Sequence, residues 1–188
     1  AEGEPVTDDA WAKGMLVENV SGTAWYFTYE LAHPRRGHFI DAPVKGLSYK
    51  GPTQQGITGY DEDGSLLEQG GFSFFPDEKI DFSIGSVKLG TALAAKKVSP
   101  LDLFSSTDSS DPRVVGVARI LQTLDADSGE TATGQDGKIV LLPEVVACFE
   151  GVAGGTEIEF GDAAIIDSLL LQTVATCGNA GGAILAVV

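Results

Sequence analysis

The sequence predicts an α+β protein: an antiparallel β meander followed by three short-to-medium helices. Three observations carry this. Apolar and polar residues alternate from Ala24 to Leu31, short strand-like runs separated by Gly, Pro and Asp turns continue to Leu89, and the period becomes helical after Ser109-Ser110-Asp111-Pro112. The 188 residues, 43% of them hydrophobic, are enough to bury one substantial core. The expected organisation is an N-terminal arm and strand over 1–36 and a single α+β domain over 37–188.

In Ala24–Leu31, Trp25, Phe27, Tyr29 and Leu31 share one face, and Tyr26, Thr28 and Glu30 the other, which predicts a half-buried strand. Further strands are expected at Phe39–Ile40, Leu47–Tyr49, Gly56–Tyr60, Gly71–Phe75, Lys79–Ile84 and Ser86–Leu89. Asp61-Glu62-Asp63-Gly64 and Pro76-Asp77-Glu78 are the clearest turns between them. Val114, Val115, Val117, Ala118, Ile120, Leu121 and Leu124 recur at helical spacing behind a capping segment and a proline, predicting a helix over about 112–124. Pro143–Gly151 and Gly161–Thr176 read as two more helices. Cys148 and Cys177, the only cysteines, read first as one disulfide, with two buried thiols as the rival.

Charge and pattern exclude several functions. Twelve basic against 27 acidic residues give a net charge of −15, a field that concentrates cations and repels phosphate backbones, so no nucleic-acid partner is expected. No apolar run reaches the ~18–20 residues that span a bilayer. The longest, Ala163–Ala175, is interrupted by Asp167, Ser168 and Gln172, so the chain is not expected to be transmembrane. The opening Ala-Glu-Gly-Glu-Pro has the look of an end left by signal-peptide removal, which predicts export to the cell surface, outer membrane or periplasm. Nucleophile-elbow, dinucleotide, phosphate-loop and zinc-protease motifs are all missing, and an enzyme is not expected.

The candidate site is His33-Pro34-Arg35-Arg36-Gly37-His38, which holds both histidines of the chain. Pro-Arg-Arg-Gly suits a type I turn closed by glycine, and such a turn would set the imidazoles facing across a hairpin. Opposed positions on antiparallel strands have Cβ atoms about 4.5–5.5 Å apart, from which both rings reach one metal at about 2.0 Å. Two histidines near a turn are, however, more often solvated polar side chains than ligands. Imidazole suits copper and zinc, and affinity peaks at copper. A second ion site is conceivable at Asp125-Ala126-Asp127-Ser128-Gly129-Glu130, whose spaced oxygens beside glycine suggest calcium but lack the EF-hand order; the competing reading is an ordinary solvated turn.

Several blocks resemble a domain that recurs in exported bacterial surface proteins, lipoproteins and adhesins: Gly37–Tyr49, Gly59–Gly64, Phe72–Phe74, Ile80–Gly90 and Ala118–Asp127. The resemblance covers about residues 37–135 and implies a surface module rather than a particular activity. Trp25-Tyr26-Phe27 with the two histidines ahead of that domain is similar to the copper-repressible surface copper proteins of methane-oxidising bacteria, the CorA and MopE type. In that family copper(I) is held by two histidines, a water and kynurenine, an oxidised tryptophan. The resemblance implies His33 and His38 as ligands and Trp25 or Trp11 as the modified residue. The function it implies is an exported copper(I)-binding protein for copper capture or uptake, with an outer-membrane or surface partner. The alternative is a structural or adhesive surface module without a metal site, in which the β face binds a protein or glycan.

Overall fold

The computed structural model describes residues 12–20, 23–31, 33–40, 42–60, 70–126, 138–155 and 157–188. By contact the chain divides into two units, Ala1–Arg35 and Arg36–Val188. In the first, β1 (Ala12–Val20) and β2 (Thr23–Leu31) form an antiparallel hairpin in register from Ala12↔Leu31 to Val20↔Thr23. The alternating segment that holds Trp25 is therefore a strand, as its pattern predicts, and Trp25 stands opposite Glu18. Its partner β1 was not among the expected strands.

The second unit opens with β3 (Arg35–Phe39), followed by β4 (Val44–Lys45), β5 (Ser48–Lys50), β6 (Gln55–Ile57), β7 (Gly71–Phe74), β8 (Lys79–Ile84), β9 (Val87–Leu93) and β10 (Lys97–Val98). Then come α1 (Pro100–Leu103), α2 (Pro112–Thr123), β11 (Ile139–Val140), α3 (Pro143–Ala153), α4 (Ala163–Cys177) and a 3-10 turn at Ala180–Gly182. The four-stranded sheet, ordered β6-β5-β8-β9, is antiparallel throughout. This is the expected α+β arrangement of an antiparallel sheet followed by helices; outside the sheet β10 pairs with β3, and β11 with β4, in parallel. These short strands arrive from far along the chain and seal strands laid down early.

Burial follows the alternation. On β8, Ile80, Phe82 and Ile84 point inward and are fully buried while Lys79, Asp81 and Ser83 face out. Phe82 packs edge-on to Phe72 at 5.3 Å and tilted against Phe39 at 5.0 Å, an aromatic centre shared by three strands. The helices close over this layer. Asp111 caps α2 by accepting the Arg113 N–H at 3.0 Å, Pro112 occupies the first turn, and Val114, Val117, Ile120 and Leu121 face the core. Asp162 likewise accepts from Ala164 and Ile165 at the start of α4, which begins after Gly161-Asp162 because those residues form the cap. Cys148 on α3 and Cys177 at the end of α4 are joined in a disulfide with Cα atoms 5.8 Å apart.

Candidate functional site

The Pro34–Gly37 turn expected to bring the histidines face to face is not formed. Arg35–Phe39 is strand β3, because Gly37 and Phe39 are drawn inward and the strand is zipped on both sides. The His38 N–H donates to the Lys96 carbonyl at 3.0 Å, and the Phe39 N–H donates to that of Gly70 at 2.9 Å. Gly37 is required here, since a Cβ would stand 2.6 Å from the Phe72 ring and 2.5 Å from the Ala95 carbonyl oxygen. His33 precedes the strand and is exposed, and it belongs to the first unit. His38 is half-buried, in the second unit, in register with Lys97 of β10.

Strand alternation places Arg36 on the same face as His38, and parallel register places Lys97 there too. Arg36 Nη1 also donates to the Ser73 hydroxyl at 3.0 Å. His38 thus shares its strand face with Arg36 and Lys97. Trp25 lies on β2, and Trp11 is outside the described residues. Among the described residues, no three His, Cys, Asp or Glu side chains cluster as metal ligands. At the second candidate ion site, Asp125 is buried and accepts the Val140 N–H at 2.8 Å, tying the end of α2 to β11, while Asp127 and Glu130 fall outside the described residues.

A different feature lies on the surface of the second unit. Ser48 and Lys50 of β5 lie opposite Ile57 and Gln55 of β6, and all four point outward while Tyr49 between them is buried. Helix α3 stands beside this outer face, presenting Pro143, Val146, Ala147 and Glu150. Between sheet and helix lies a trough of about 1140 Å³, lined also by Thr53, Gln54 and Tyr60. A second hollow shares Ser48, Lys50, Gln55 and Ile57 and carries the surface on across Asp81, Ser83 and Lys88.

The walls are fixed from the sequence upward. Glu150 accepts the Ser86 N–H and so pins α3 to the turn between β8 and β9. Gly85 in that turn has φ 56° and leaves room for the Glu150 carboxyl that any side chain would fill. The ammonium of Lys45 lies 4.4 Å over the Tyr60 ring and braces it. Across the sheet face Lys88 pairs with Asp81 at 2.9 Å, and Thr91 donates to the same carboxylate. Burial pushes the Asp81 carboxyl up, but the Thr91 hydroxyl and the ammonium groups of Lys88 and Lys50 outweigh it and hold it below the usual carboxylate range.

The trough was not anticipated from the sequence. Its one local signal is Ile57, an apolar residue on an otherwise polar strand face, 47% exposed. The α3 wall has no such signal, because only the fold brings residues near 145 beside residues near 50.

The geometry defines an α+β unit with an open, mixed-polarity trough. No protein-family profile matches the chain, and no solved structure matches it. The chain is similar to the accessory colonization factor AcfD of Vibrio cholerae serotype O1, at 36% identity over 66 residues. That stretch is 34% of this chain and 4% of the relative's own length.

Proposed function

We propose that the chain is an exported surface module without catalytic turnover, and that the trough between the outer sheet face and α3 is where it meets a protein or glycan partner. The trough carries this reading. At about 1140 Å³ it is larger than a typical small-molecule pocket, and the neighbouring hollow carries it on along the sheet. The partial likeness to a protein named as a colonization factor supports a surface role, and a disulfide suits an oxidising compartment.

The test uses beads coated with the protein, scored for retention on mucin, fibronectin and collagen surfaces. Retention on at least one surface is expected, and Ile57→Asp should lower it at least tenfold while leaving thermal unfolding unchanged. Ile57 is exposed, so the charge does not enter the core. Retention unaffected by Ile57→Asp, or none on any of the surfaces, overturns the reading.

A second reading rests on the sequence, which holds both histidines in one short stretch, and on the resemblance to the surface copper proteins. Here the chain is an exported carrier of one copper(I) ion as cargo, with His33 and His38 as ligands, and it serves copper capture at the cell surface. Oxidised Trp25 or Trp11 is the third ligand. Low coordination and the arginines of the segment, Arg35 and Arg36, disfavour extra positive charge and lean toward the singly charged ion. Calcium at Asp125 is a weaker proposal of the same kind.

Protein from its native host should then hold about one copper per chain. One tryptophan should show the mass change of gaining an oxygen and losing a carbon, and His33→Ala and His38→Ala should each release the copper. A metal-free chain with unmodified tryptophans removes this reading and leaves the first standing.

A further inference from the structure

No further inference is drawn: the strongest candidate outside the trough, the exposed apolar side chains Leu171 on α4 and Ile184, Val187 and Val188 on the C-terminal segment, is an apolar surface patch for which nothing in the structure shows what covers it.

Discussion

Gly116 sits inside α2, where alanine normally gains about 1 kcal/mol over glycine. Here the added methyl would land on the Phe160 carbonyl oxygen, which is backbone and cannot swing away. Gly116→Ala is therefore expected to destabilise, by about 1–3 kcal/mol, in urea unfolding, and a stabilised variant would show that the 158–162 segment yields. Gly37→Ala meets the Phe72 ring and the Ala95 carbonyl in the same way and should cost a similar amount. At this scale the sequence is nearly silent. The string Pro34-Arg35-Arg36-Gly37 reads as a turn because proline and glycine are turn formers, yet Gly37 serves the packing of Phe72 instead. A local pattern cannot separate a glycine kept for its torsion angles from one kept for lack of a Cβ. The expected pairing of His33 and His38 across a tight turn rested on the first of these readings.

Among the elements, those with an internal signal were legible. The strand at Lys79–Ile84 is found as predicted, and the helices starting at Pro112 and Pro143 begin at their prolines, because alternation, capping and proline act within one segment. β1 went unexpected although its hairpin partner follows it directly, while other hidden elements depend on partners distant in sequence: the two-residue strands β10 and β11 are too short for any period, and their parallel pairing comes from packing. The four-residue α1 escaped for the same reason. Two predictions belong here. Asp162 supplies both capping bonds of α4, at 2.9 and 3.2 Å, so Asp162→Ala should lose about 1 kcal/mol, read as a lower urea midpoint. Replacing Cys148 and Cys177 together with serine removes a link between residues 29 apart, and the unfolded chain regains entropy worth about 3–4 kcal/mol. Because Cys177 is almost wholly buried, its serine hydroxyl adds a desolvation cost, and a loss near zero would show that the α3–α4 contact holds unaided.

For the molecule as a whole, the excess of 27 acidic over 12 basic residues sets the response to pH and salt. At neutral pH like charges repel across the surface, so added salt should raise the melting temperature, and so should acidification toward the isoelectric point near 4.3. Below that the sign reverses. Asp81, Asp108 and Asp111 have carboxyl groups held below their ordinary value, so each contributes stability that is complete above about pH 4 and is lost as the pH falls through the folded value. A melting temperature that peaks between about pH 4 and 6 and falls on the acid side is expected by calorimetry, and a monotonic rise into acid would contradict it. The parallel pairs have a consequence in time. Strands β3 and β4 lie near the start of the second unit, yet the parallel partner of β3 is Lys97–Val98 and that of β4 is Ile139–Val140. A chain delivered from its N-terminus therefore presents these open strand edges until residues 97–98 and then 139–140 have emerged. Closure is expected to be late and slow, because these pairings span long stretches of sequence. Until both segments have emerged, those early strands remain unlocked and the chain remains threadable.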